Sequence, residues 1–550
     1  MANFSAKIFS SALSSLRSQM AKIAVVSNNV ANADTPGYAR RTVNLSTVKT
    51  SDNSFLGQVG DGVKIENIVR NTNVFFINSL LAEESQVGFY GSQSILCMEL
   101  DKLYGSAGVG RQISTRLAEF FSSLQEISVN PSSIPLRLSF IEKAKLLTDS
   151  IRLTYKSIAM LQRKADRMLS EKVDKVNEII SQVSDLNIQI KSFEAQNGHE
   201  TALDLRDQRD KLLKDLAKLI DFSVIENIDG TLSVSLRNGI TLVNGSHVST
   251  LRTTNSPTFT TNTTYGLDGE ALSYVVVELG PNSQIDVSDT IKNSGGELGG
   301  LLSFRGLADP SISNPFDVQG SVVSIARQIE ALSRFFVTTI NQYYRGYDPN
   351  LPANGDEDPS TPTFFDPSAV DLNGNTPGVY GLFGLSGVSL TDTNSDGLAN
   401  DLASLTVFSV AERLTMLVDD PNQLAFSRDL DPLPGSILGS PGDGRIAQRI
   451  SEVQYQNVSF TSPGFTFFGK PKDLSHLTET QVGVLVRDVK ERLSVHEARS
   501  EFYATKLEEI QGVNTDEELA YLIQFQRNYQ YSARLLGIAD NLLAEILNII

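Results

Sequence analysis
The chain has 550 residues, 40% hydrophobic and 20% charged, so at roughly 150 residues per domain it should hold three or four domains. It has the profile of neither a disordered acidic tail nor a membrane-embedded chain. Its 47 basic and 64 acidic residues leave a net charge of −17, which disfavours broad nucleic-acid binding and adhesion to an anionic membrane. A single cysteine, Cys97, excludes an internal disulfide and a cysteine-based zinc site.

The first 20 residues interleave serine with apolar positions and carry Lys7 and Arg17, so a cleaved secretory signal is not expected. No run of about 18 apolar residues occurs, so no membrane-spanning helix is expected either. Near-absence of cysteine nevertheless suits a protein that meets oxidising surroundings, which leaves open export without a cleaved peptide.

Phe9, Leu13, Leu16, Met20, Ile23, Ser27 and Val30 follow one another at alternating spacings of four and three. That spacing predicts an N-terminal helix with one narrow apolar seam, interrupted only by Ser27. Asparagines then end the helix in SNNVANADTPGYARR (27–41), and Thr35-Pro36-Gly37-Tyr38 puts proline and glycine where a type II turn needs them. Cys97, in the apolar stretch SILCMEL, is expected to be a small packed hydrophobe. GSAGVG (105–110) joins two predicted helices instead of following a strand, and so reads as a linker. From Arg111 to about Ala195 the chain reads as helix, interrupted near Pro131 and Pro135. Leu169, Val173, Val176, Ile180, Val183, Asn187 and Ile190 repeat the four-three spacing, with Asn187 placed to fix register. Arg206, Asp207, Arg209 and Asp210 read as a solvated helix face, with intersubunit ion pairs as the alternative.

Between Phe222 and about Asn293 apolar and polar residues alternate. Asp229-Gly230, Asn238-Gly239 and Asn244-Gly245 are hairpin signals there, and the Ser/Thr/Asn-rich run TTNSPTFTTNTTYG reads as a surface loop. Residues 346–440, rich in Gly, Pro, Asn and Asp, predict a second, loop-rich β insertion. At the C-terminal end Leu522, Tyr529, Leu536, Leu543 and Ile550 recur every seven residues. Leu519, Gln526, Ala533, Asp540 and Leu547 form a second row, and the seam runs to the last residue without a glycine cap or polar tail. Such a seam needs a cover. Either both terminal helices pack on the protein's own core, or they pair with each other in a coiled coil packed against neighbouring subunits.

Candidate chemistry is sparse. Asp392, Asn394 and Asp396 with Gly397 match the first half of a calcium loop, but Ala403 stands where a bidentate acid belongs and Asp401 is the nearest substitute. A solvated Asp/Asn turn is the plainer reading, there and at DLNGN (371–375). His199, His247, His476 and His496 fall in separate regions outside any HExxH or GxSxG context, and read as surface or loop residues. No catalytic residue, cofactor or metal is expected.

The 27–41 segment resembles the signature of bacterial flagellar rod, hook and hook-associated proteins, and residues 512–550 (GVNTDEELAYLIQFQRNYQYSARLLGIADNLLAEILNII) are similar to that family's C-terminal signature. Interior segments narrow the resemblance. LAEFFSSLQEISVNPSS (117–133), DLRDQRDKLLKDLAKLID (204–221), GGELGGLLSFR (295–305) and NQYYRGYD (341–348) are similar to the branch that joins hook to filament, and rod and hook proteins lack them. PGDGRIAQRI (441–450) matches loosely, and little of residues 349–434 matches.

The expected fold is mainly α with inserted β domains. It comprises a terminal coiled-coil assembly domain (1–70 with 500–550), a long-helix bundle (71–221 with 291–345 and 441–499), a β-rich domain (222–290) and a loop-rich β insertion (346–440). The resemblance implies a non-enzymatic axial subunit that polymerises through an interface of Phe9, Leu13, Leu16, Met20, Ile23, Val30, Leu519, Leu522, Tyr529, Leu536, Leu543, Leu547 and Ile550. It also implies type III export to an extracellular flagellum and a chaperone on the C-terminal helix. Copies of itself, hook protein and the next hook-associated junction protein would be its partners, with no nucleic acid or membrane. Rival expectations are a hook or distal rod protein and, from another class, a secreted adhesin or enzyme carried by the β insertions. The terminal segments 4–32 and 516–550 are expected to order fully only on assembly.

Overall fold
The computed structural model describes residues 2–48, 62–105, 108–197, 201–255, 265–280, 283–308, 318–344, 369–372, 381–387, 410–428 and 442–549. The long helices are α1 (Ala2–Ala31), α2 (Val74–Tyr104), α3 (Val109–Val129), α4 (Ile134–Asn197), α5 (Leu203–Leu219), α6 (Gly296–Arg305), α7 (Ser321–Phe335), α8 (Arg445–Glu452), α9 (Pro471–Gln511) and α10 (Thr515–Ile549). Small antiparallel sheets complete a mainly α fold. No described helix is long and apolar enough to cross a membrane.

The chain divides into two compact units. The first comprises Met1–Gly88, Asp174–Thr250 and Ser494–Ile550, and the second Phe89–Val173 and Leu251–Leu493. Helices α2, α4 and α9 each contribute residues to both. The strands expected over 222–290 form two sheets. One is four-stranded: β1 (Ser223–Glu226), β2 (Leu232–Ser235), β3 (Thr241–Asn244) and β4 (His247–Val248) in that order, within the first unit. The other orders β5 (Thr250–Thr254), β6 (Tyr274–Gly280) and β7 (Ser283–Asp286), and from Leu251 onward it belongs to the second. The hairpin dipeptides act as their chemistry requires, with Gly230, Gly239 and Gly245 all at positive φ.

The second unit is organised round aromatic rings. Phe120 on α3 lies 5.4 Å from Phe140 on α4, 5.6 Å from Phe336 and 5.9 Å from Phe383, centroid to centroid. Such edge-on and tilted pairs contribute about 0.5–1.5 kcal/mol each beyond their buried area. Phe336 opens a π turn (Phe336–Ile340) that continues α7 and leads into Asn341. From there buried polar side chains hold the described segments around residues 382–383, 411 and 424–425 by their main chain. Asn341 accepts the Leu382 and Phe383 N–H groups, both at 2.9 Å, and donates to the Phe383 carbonyl at 2.7 Å. Glu330 accepts from Ala411 N–H at 2.9 Å, Tyr344 from Ala425 N–H at 2.9 Å, and Arg137 donates to the Leu424 carbonyl at 2.6 Å. The GGELGG motif has a steric cause: a Cβ on Gly300 would lie 2.2 Å from the Phe89 carbonyl oxygen, so only glycine lets α6 approach α2 this closely.

Candidate assembly interface
Helices α1 and α10 pack against each other within one chain. Ser15 and Ser532 hydroxyls meet at 2.8 Å, Lys22 Nζ sits 5.2 Å above the Phe525 ring, and Asn29 donates to Glu518 at 2.9 Å. Each step of seven forward on α1 is a step of seven backward on α10, so the pair is antiparallel in heptad register. Its covered residues are Ala12, Ser18, Val25, Val26 and Asn29 on one helix and Glu518, Ser532 and Ala539 on the other, small, polar or β-branched side chains throughout.

This placement sets the apolar seam read from the sequence beside the α1–α10 contact. The face of α1 that meets α10 is displaced about a third of a turn from the row Phe9, Leu13, Leu16, Met20, Ile23 and Val30. Within that row Leu13, Leu16, Ile23 and Val30 are half-buried, Phe9 is exposed, and Met20 is 57% exposed. On α10, Leu522 and Leu536 lie half-buried on the α1 side and Tyr529 stays exposed, whereas Leu519, Gln526, Ala533 and Asp540 all lie open. The side chains of Leu543 and Leu547, and Ile550 entirely, lie outside the described residues. Large apolar side chains can meet across a partner, but small ones allow closer helix approach inside the pair.

The turn after α1 anchors this pair to the rest of the first unit. Tyr38 N–H closes on the Thr35 carbonyl at 3.1 Å with Gly37 at φ +87°, the type II geometry its residues predict. Asn29 is the hub. Its amide donates to the Arg41 carbonyl at 3.0 Å, and its side-chain oxygen accepts from Arg41 N–H at 3.0 Å and Tyr38 hydroxyl at 2.8 Å. Arg40 pairs with Glu518 at 2.7 Å. Burial pushes the Tyr38 phenol up to about 12, so it stays a donor throughout the physiological range. Asn29 and Glu518 are the contact positions that apolar periodicity missed, and their heptad offset from Lys22 and Phe525 is the signal that could have found them.

DLRDQRD is a buried ionic network and not a solvated face. Asp207 and Arg209 are buried, and Arg70 bridges Asp207 at 2.9 Å and Asp210 at 2.7 Å. Arg41 adds contacts to Asp204 and Asp207, and Arg206 joins Glu194 and Glu226. Desolvation raises the Asp207 carboxyl despite its two arginines, and lowers Arg209 to about 10. Asn187 is likewise reassigned. Fully buried, it donates to the Leu232 and Gly245 carbonyls, both at 2.9 Å, and accepts from Arg209 at 3.0 Å, so it holds sheet β1–β4 on α4 instead of fixing a helix register.

His247 and His476 are exposed, but His496 is neither surface nor loop: on α9 it is partly buried, 2.7 Å from Glu83. His199 and the calcium-loop candidates Asp392, Asn394, Asp396 and Asp401 lie outside the described residues, as does the TTNSPTFTTNTTYG run from 256 to 264. Among the described residues no group of three or more His, Cys, Asp or Glu could hold a metal. Cys97 is buried, and desolvation pushes its thiol up to about 12.

Known proteins match these same regions. Residues 97–356 match the family described as flagellar hook-associated protein FlgK helical domain. Residues 9–38 match flagella basal body rod protein, and 507–549 match flagellar basal body rod FlgEFG protein C-terminal. The flagellar hook-associated protein 1 of Escherichia coli K12 is 23% identical, over 98% of this chain and 99% of its own length. Along nearly its whole length the chain is similar to flagellar hook-associated protein 1. A member from Bacillus subtilis 168 is 23% identical over 97% of this chain and 96% of its own. The Salmonella typhimurium LT2 member is 29% identical, over 54% and 51%. The flagellar hook junction protein FlgK from Burkholderia pseudomallei shares the fold, with a TM-score of 0.57 at 15% identity, covering 78% of this chain and 99% of that one.

Proposed function
We infer that this chain is a structural axial subunit of the bacterial flagellum that joins hook to filament, and that it polymerises through its terminal helices. The observation that carries this reading is the α1–α10 pair, which covers small, polar and valine side chains in its own contact while Phe9, Met20, Leu519 and Tyr529 of the apolar rows stay exposed. Phe9, Leu13, Leu16, Met20, Ile23 and Val30 on α1, with Leu519, Leu522, Tyr529 and Leu536 on α10, make the described part of that interface. Leu543, Leu547 and Ile550 continue its spacing. Copies of the chain cover these rows in a ring or tube, with hook protein on one side and the next hook-associated protein on the other. Export proceeds through the flagellar apparatus to the cell exterior, with a chaperone covering the C-terminal helix until then. The work is mechanical and not enzymatic. Electron microscopy of cells lacking the protein tests the reading: hooks without filaments are expected, and normal filaments would refute it.

A further inference from the structure
A ring or tube of identical copies needs two different faces that fit each other, because a head-to-tail contact joins unlike surfaces. The open seam of α1 is one face, and its charge is distinctive: α1 carries Lys7, Arg17 and Lys22 and no acidic residue, in a chain of net charge −17. Lys22 is engaged with Phe525, whereas exposed Arg17, one turn from Met20, has no ion pair among the described residues.

The complementary face lies on the first unit, where α9 passes the start of α2. Four rings form a continuous run: Phe75 to Phe76 at 5.5 Å, Phe76 to Tyr503 at 6.4 Å, and Tyr503 to Phe502 at 5.4 Å. Its two ends face outward, Phe75 being 67% and Phe502 54% exposed. The charges around Phe502 are unbalanced. Arg499 and Lys506 are already paired with Glu83 and Glu509, but Glu501 and Glu508 have no ion pair among the described residues. An aromatic surface with unpaired carboxylates thus confronts a Met- and Phe-bearing seam with an unpaired guanidinium, and desolvated aromatic, Met and Arg contacts dominate interface cores.

Resting on the assembly reading above, we propose that the α1 seam of one copy docks on the Phe75–Phe502 face of a second copy, with Met20 against the rings and Arg17 against Glu501. The contact is heterologous and repeats from copy to copy.

Two experiments on flagella assembled in cells test it. Cells make Met20→Cys and Phe502→Cys chains together, and the particles are treated with a short bis-maleimide; native Cys97 is buried and does not compete. A covalent dimer is expected in the mixture and not with either variant alone. Assembled particles that yield no dimer in the mixture, or a Met20→Cys dimer by itself, overturn the docking while leaving the axial role intact. Should the cysteine variants not assemble, charge reversal decides. Arg17→Glu and Glu501→Arg are each expected to lower incorporation about fivefold, and the double variant to restore it. A double variant no better than either single one overturns the proposal. Wild-type chain absent from the hook tip would instead sink the axial role itself.

Discussion

In the second unit the largest side chains point inward: Phe120, Phe140, Phe336 and Phe383 are all fully buried, and the polar groups among them are bonded to main chain. Along the terminal helices of the first unit serine, asparagine and glutamate share the contact with Val25 and Val26, while Phe9, Met20, Leu519 and Tyr529 look outward. The terminal helices leave apolar side chains open, and these are the ones the proposed assembly would cover. On the proposed reading, the difference separates residues that make the chain fold from residues that would make it assemble.

Four changes would break or sharpen that contrast. Deleting residues 541–550 has the largest expected effect: no incorporation at hook tips by electron microscopy, from a chain that stays soluble with its second unit folded. Filaments on cells making only the truncated chain would erase the distinction. Phe120→Ala should do the opposite, destabilising the second unit by about 3–5 kcal/mol in urea unfolding. Asn187→Leu strips sheet β1–β4 of its bonds to α4 and leaves Arg209 without its amide partner. It should cost about 2–3 kcal/mol, read as faster amide exchange at Leu232 and its neighbours. The smallest effect belongs to Asp229, which bonds to the Thr231 hydroxyl and to Lys191 hold at about 2 against an ordinary 3.8. Its folded value is depressed, so its contribution is present above pH 4 or so and disappears as pH falls towards about 2. Because the carboxylate is partly exposed, the change should stay below about 1 kcal/mol, and Asp229→Ala should abolish it.

Much of the architecture was legible because local chemistry decided it. Thr35-Pro36-Gly37-Tyr38 could hardly be other than a type II turn, the hairpin dipeptides end strands where they stand, and Pro131 and Pro135 separate α3 from α4. What stayed hidden depended on what another segment brings. DLRDQRD looks solvated until Arg41 and Arg70, far away in sequence, arrive to neutralise it. Asn187 sits in an apolar repeat, and nothing local says that two hairpin carbonyls await it. The apolar rows of α1 were found, but not the direction they face: periodicity reports that a helix has a stripe and is silent about whether the stripe meets its own chain or another.

The grips formed by Arg137, Glu330, Asn341 and Tyr344 are indifferent to the side chains of the residues they hold. Each takes hold of peptide groups, which every amino acid carries alike. Substitution in the captured segments therefore leaves their anchorage untouched, and this part of the molecule can change its side chains without a change in how it is attached.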